Sequence, residues 1–247
     1  MRRFDAVLWD VDGTLLDFLY AQRRAISKCL TEIAVEPTEE RVAKYSEIND
    51  GYWKRLELGE VTKEQLLVGR FTSFFEVYGI KGVDVNAFKA SYERTLGSVF
   101  AYQENSLEIC REIKAQGVVK QYVITNGITA VQMNKLRLSG FAELMDDIFI
   151  SEQIGVPKPQ KGFFDYCIKS LAKKGLTDLG RMLVVGDSLT SDIKGGVLSG
   201  IPTCWYRPDG ILDKDPAQWE IYESYQPTFE ISRLGQIMDI LADHGAN

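Results

Sequence analysis

Histidine is almost missing from this sequence: of 247 residues only His244, near the C-terminal end, is one. A Ser-His-Asp triad, a Cys-His pair or a histidine-rich zinc site each needs an imidazole set among other groups, so the composition argues against all three. Terminal residues are often poorly ordered, and His244 is read as having no catalytic part. Cysteine is scarce as well. Cys29, Cys110, Cys167 and Cys204 lie far apart and make no CxxC pair, the pattern of buried thiols in a reducing compartment. No run approaches the ~18 apolar residues of a membrane helix. The opening Met1-Arg2-Arg3 is followed by an apolar stretch broken by Asp5 and Asp10, which is too short and too acidic for a signal peptide. A cytoplasmic protein without a membrane partner is expected. Positive charge is in deficit: 29 Lys and Arg stand against 35 Asp and Glu, a net charge of −6, so a nucleic acid polymer is not an expected partner. Chemistry must then rest on carboxylates, lysine, hydroxyls or a bound metal.

What is present suits a folded enzyme. The chain is 45% hydrophobic and 26% charged, a globular balance. Short apolar runs at residues 4–9, 121–124, 148–150, 182–185 and 202–206, with a possible sixth at 228–231, read as parallel strands covered on both faces. Helical spacing lies between most of them, as in Leu107-Ile109-Cys110-Ile113 and Phe163-Tyr166-Cys167-Leu171. The alternation predicts a doubly wound, Rossmann-like α/β sheet. Residues 17–100 break the rhythm. Phe18, Ala21, Ala25, Ile26, Cys29, Leu30 and Ile33 follow helical spacing; Thr62 and Gln65 form a capping-box pattern; Asn86 is placed to cap a third helix. A structureless loop of that length is improbable. The expectation is a helical subdomain at 17–100 inserted into a core of 1–16 and 101–247, with Trp53, Phe71, Phe74 and Phe75 as subdomain core.

In an open parallel sheet, ligands sit outside the carboxyl ends of the strands. The first strand ends in Asp10-Val11-Asp12-Gly13-Thr14, the second in Thr125-Asn126-Gly127, and the fourth in Gly186-Asp187-Ser188, with Asp192 five residues after Asp187. Several acids at one sheet edge are costly unless a cation neutralises them. Oxygen donors without imidazole or thiolate suit a hard cation, most simply Mg²⁺, whose remaining positions hold water or phosphate oxygens. Lys158, between Pro157 and Pro159, is the candidate for offsetting phosphate charge. Asp192 has a second reading as an acid at the start of the next helix. Each of these signals is weak alone; their order, each at or near a strand end, is what carries weight.

At these residues the sequence resembles the haloacid dehalogenase-like hydrolase (HAD) superfamily. DVDGT at 10–14, Thr125-Asn126-Gly127, Lys158-Pro159 and GDSLTSD at 186–192 look like its four motifs, in order, and the insert lies where the family's cap lies. The resemblance implies that Asp10 is the nucleophile forming an aspartyl-phosphate and that Asp12 is the general acid, then the base. It implies a metal set of the Asp10 carboxylate, the Asp12 backbone carbonyl and Asp187, with Asp192 a further ligand or a support. Thr125 and the Asn126 amide would hold phosphate oxygens, and Lys158 would offset their charge. An acid at Asp12 favours phosphate esters over carbon–halogen bonds within the family. A cap that closes from crossings near Asp17 and Phe100 is also implied.

Asp17-Phe18, Phe163-Phe164-Asp165-Tyr166, GDSLTSDIKGG at 186–196 and Thr203-Cys204-Trp205-Tyr206 are similar to the pyrimidine-nucleotide 5′-nucleotidase group. Gly13 follows the general superfamily pattern rather than that group's. Phe18 has two readings, stacking on a base and core packing. The expectation is a phosphatase of nucleoside 5′-monophosphates such as UMP or dTMP, acting on a small-molecule phosphate monoester as a monomer or weak homodimer. The alternatives are a phosphatase or phosphomutase of sugar phosphates or phosphoglycolate, and an aspartate-phosphorylated switch.

Overall fold

The computed structural model describes residues 4–208 and 216–242, so His244 lies outside the described residues. The chain divides into two compact units, one of residues up to Asp17, Tyr102–Thr129 and Leu136 onward, the other of Phe18–Ala101 and Ala130–Lys135.

The first unit is built on a six-stranded sheet: β1 (Ala6–Trp9), β2 (Lys120–Thr125), β3 (Asp147–Ile150), β4 (Met182–Gly186), β5 (Thr203–Tyr206) and β6 (Phe229–Ile231), in the order β3-β2-β1-β4-β5-β6. Every neighbouring pair is parallel. All four β1 residues are buried, as the near-continuous apolar run requires of a strand covered on both faces. On one face, Leu8, Ile124 and Val184 pack with Phe163, Phe164, Cys167 and Leu171 of a following helix. Burying each such side chain is worth roughly 1.5–3 kcal/mol. The buried Gln121 near the start of β2 is satisfied: it accepts from Trp9 Nε1 at 3.3 Å and donates to the Cys110 carbonyl at 2.9 Å. Arg181 grips Asp5 through Nε and Nη2 at 2.6 and 2.7 Å, tying the entrances of β1 and β4, and this holds the Asp5 carboxyl below its usual range.

Register aligns the strand ends. Trp9 pairs with Val123 on one side and Val185 on the other, so Asp10, Thr125 and Gly186 leave the sheet at nearly one level. β1 is flanked by β2 and β4, which is the point where the strand order reverses and where such sheets hold ligands.

The second unit has four helices, α1 (Phe18–Glu32), α2 (Glu39–Glu57), α3 (Lys63–Tyr78) and α4 (Val85–Leu96), packed as a ring in which each touches the next. Its core is aromatic: Tyr45 stacks on Phe71 at 5.6 Å and meets Phe74 and Tyr92 edge-on at 5.8 and 5.5 Å. Phe71, Phe74 and Phe75 are buried and Trp53 is half-buried. The capping box of α3 forms: Thr62 Oγ1 accepts from the Gln65 amide at 3.2 Å and the Thr62 amide donates to Gln65 Oε1 at 2.8 Å. At α4 the expected cap is corrected. Asp84, not Asn86, is the N-cap, and its Oδ1 accepts from the amides of Asn86 and Ala87 at 2.8 and 3.3 Å. The helix starts two residues earlier, at Val85, because aspartate competes at least as well for the cap. The unit also includes Ala130–Lys135, a segment that sequence reading leaves with the core. Asn134 Nδ2 donates to the Gly97 carbonyl at 2.9 Å, and the Lys135 ammonium sits 5.8 Å from the Phe18 ring centroid.

Candidate active site

Asp10 leaves the end of β1 with its amide donating to the Val185 carbonyl at 2.8 Å, which fixes its backbone between β1 and β4. Its carboxylate is buried and meets Lys158. The Lys158 ammonium, 1% exposed, donates to Asp10 Oδ1 at 2.7 Å, Asp192 Oδ1 at 2.6 Å and the Ile124 carbonyl at 2.9 Å, which uses all three of its protons. Burial alone would lower the Lys158 pKa; Asp10 and Asp192 outweigh it and raise it, so the ammonium stays charged. Carboxylate oxygens of Asp10, Asp187 and Asp192 lie within 4.8 Å of one another.

Burial, then the neighbouring acids, push Asp10 up from 3.8 to about 7 against the pull of Lys158. Burial with Asp10 and Asp192 beside it raises Asp187 as well. With all three ionised, three carboxylates facing one ammonium would carry two unbalanced negative charges, which a divalent cation would match and whose repulsion raises Asp10 and Asp187. The donors are all oxygen, so the residues present fit a hard cation. The Asp12 carboxylate is not among those three, although its charge raises Asp10.

Backbone and side chains hold this cluster in place. Gly13 has φ +98°, and a Cβ there would collide with the Asp187 carboxylate; a Cβ on Gly186 would collide with Asp192. Thr14 Oγ1 donates to Asp187 Oδ1 at 3.3 Å, and Trp205 Nε1 donates to the Asp187 carbonyl at 2.8 Å. The Ser188 amide donates to Asp192 Oδ2 at 3.3 Å. Asp192 falls inside a π-helical turn, Leu189–Ile193, rather than at the start of the helix that follows.

The structure thus brings together Asp10, Lys158, Asp187 and Asp192. Thr125 is buried at the end of β2 and its Oγ1 accepts from the Gly127 amide at 3.0 Å. The Asn126 side chain clamps the Lys158 backbone: Nδ2 donates to its carbonyl at 3.0 Å and Oδ1 accepts from its amide at 2.8 Å. Sequence reading missed this clamp, along with Thr14 and Trp205. The only available signal was that Asn126 and Lys158 follow adjacent strands, β2 and β3.

A model of haloacid dehalogenase-like hydrolases matches residues 4–200. The chain belongs to this family. It is 33% identical over 241 residues to the HAD-hydrolase YfnB of Bacillus subtilis, covering 98% of this chain and 97% of that one. It is 32% identical over 238 residues to the pyrimidine 5′-nucleotidase PynA of Streptococcus pneumoniae, covering 95% and 94%. A crystal structure of YfnB bound to magnesium, which reveals interdomain movement, superposes with a TM-score of 0.86 at 31% identity over 98% of this chain and 100% of that one. As a HAD hydrolase the protein is an enzyme, a phosphoric monoester hydrolase. No helix among the described residues is long and apolar enough to cross a membrane.

Proposed function

We propose that this HAD hydrolase is a Mg²⁺-dependent phosphatase that releases phosphate from pyrimidine nucleoside 5′-monophosphates through an aspartyl-phosphate on Asp10. The observation that carries the reading is the set of Asp10, Asp187 and Asp192 carboxylates gathered within 4.8 Å at the switch point and tied to Lys158. The pyrimidine preference is supported by full-length similarity to PynA.

Asp10, Asp187 and Asp192, with the Asp12 carbonyl, would hold the ion, which when bound offsets negative charge on the transferred group. The Asp10 carboxylate attacks phosphorus, and the phosphorus–O5′ bond breaks as the Asp10–phosphorus bond forms. Asp12 donates its proton to the departing O5′, then takes one from the water that attacks the aspartyl-phosphate. Thr125 Oγ1 and the Asn126 amide hold phosphoryl oxygens. Lys158 orients Asp10 and favours its ionised form against the pull of burial. Two unit charges ~4 Å apart interact by ~4 kcal/mol near a protein surface, so a carboxylate approaching a phosphate dianion needs this compensating charge.

The direct test is phosphate release from UMP and dTMP compared with phosphoglycolate and glucose 6-phosphate, with and without Mg²⁺. The reading predicts Mg²⁺-dependent turnover with the highest kcat/KM on the two nucleotides. A sugar phosphate or phosphoglycolate as the preferred substrate would overturn the pyrimidine assignment, and a long-lived phosphoprotein without turnover would favour a switch.

A further inference from the structure

The interior of the helical unit holds one charge that no other group there balances. Arg70 on α3 is 1% exposed. Its Nη1 donates to Asn49 Oδ1 on α2 at 2.9 Å, while Nε and Nη2 make no hydrogen bond. Its guanidinium carbon lies 4.7 Å from the Phe71 ring centroid and 5.0 Å from that of Tyr92. No carboxylate pairs with it among the described residues. Tyr45 supplies no counter-charge, because burial pushes its hydroxyl well above its ordinary value despite the nearby Arg70. One turn beyond Asn49 on α2, Trp53 Nε1 is also without a hydrogen-bond partner.

Ring faces attract a cation, but they accept no N–H bond in the guanidinium plane. Water satisfies donors and leaves the charge. A buried arginine in this state is costly unless an anion completes it. The geometry says which kind. Nε and Nη2 form one edge of the guanidinium fork, and that same edge of Arg181 grips the two oxygens of Asp5 at 2.6 and 2.7 Å.

We propose that the α2–α3 seam of the helical unit is a binding site for a small planar oxyanion of the carboxylate class, held in bidentate fashion by Arg70 Nε and Nη2 with Asn49 beside it. The carboxylate comes from a free ion or from a small metabolite that carries one. The site is separate from the phosphatase reading and stands or falls without it.

Formate is the probe. Thermal unfolding of the full chain is followed in sodium formate and in sodium chloride at equal ionic strength, alongside the linewidth of ¹³C-formate. In the wild-type chain the apparent folding constant is expected to rise about tenfold for each tenfold of free formate above Kd, with a smaller response to chloride, which cannot span the fork. Arg70→Met is expected to abolish both the formate response and the line broadening. Asn49→Asp supplies a carboxylate next to Arg70 and is expected to raise Tm without formate and flatten the response, which keeps the test alive if Arg70→Met does not fold. Adding acetate and a bulkier carboxylate separates a free small ion from the group of a larger ligand. Equal wild-type curves in formate and chloride, or either variant responding as wild type does, would overturn the site.

Discussion

At the scale of single residues, Lys158 and Asp10 form the pair on which the site turns. Among the described residues Lys158 is the single ammonium joined to Asp10 and Asp192, so Lys158→Met leaves two buried carboxylates without it. In metal-free buffer this is expected to cost about 3–5 kcal/mol in urea unfolding, with part returned by Mg²⁺; an unchanged midpoint would contradict the pairing. Asp10 titrates from 3.8 when unfolded to about 7 when folded. Between those values the folded chain holds a proton that the unfolded chain has released, so this group's stabilisation is present at low pH and is lost as pH rises toward 7. With a chelator present, the wild-type chain is expected to lose more stability from pH 4.5 to 7.5 than Asp10→Asn does. The same variant is expected to keep its fold while turnover falls by at least about 10⁴-fold. Normal turnover in it would remove Asp10 as nucleophile. Gly13→Ala places a methyl against Asp187 at a positive φ and is expected to weaken Mg²⁺ binding and cost about 1–3 kcal/mol, measured by calorimetric titration and thermal unfolding.

At the scale of elements, the six strands were legible because each is an apolar run ended by an acid, a hydroxyl or a glycine, and each observed strand falls within two residues of its reading. The helices of the second unit were legible where a side chain marks the start. Thr62 and Gln65 announced α3, and Thr62→Ala is expected to lower stability by roughly 1 kcal/mol without changing kcat, a loss that thermal unfolding and steady-state kinetics separate. At α4 two capping residues stood close together and only the backbone decides between Asp84 and Asn86. Helix α2 had a weaker signature because its buried face is partly polar, with Asn49 beside Val42 and Tyr45. Within the site, the Asn126 clamp on Lys158 joins residues 32 positions apart through backbone atoms, and a residue pattern carries no record of such bonds.

At the scale of the whole molecule, the order of the strands does what no motif can do alone. Asp10, Thr125 and Asp187 lie far apart in the chain, and β1 between β2 and β4 sets their strand ends side by side. The parallel, doubly wound core was legible from strand–helix alternation; the inclusion of Ala130–Lys135 in the helical unit was not, because those residues sit on a helix that begins in the core. The chain passes between the units after Asp17, Ala101, Thr129 and Lys135. The most direct measurement of the central claim is a crystal structure of this chain soaked with Mg²⁺ and beryllium fluoride. The account predicts the beryllium atom bonded to an Asp10 oxygen and the ion among Asp10, Asp187 and Asp192. Beryllium bonded to any other side chain, or an ion that leaves Asp10 and Asp187 in separate shells, would contradict it.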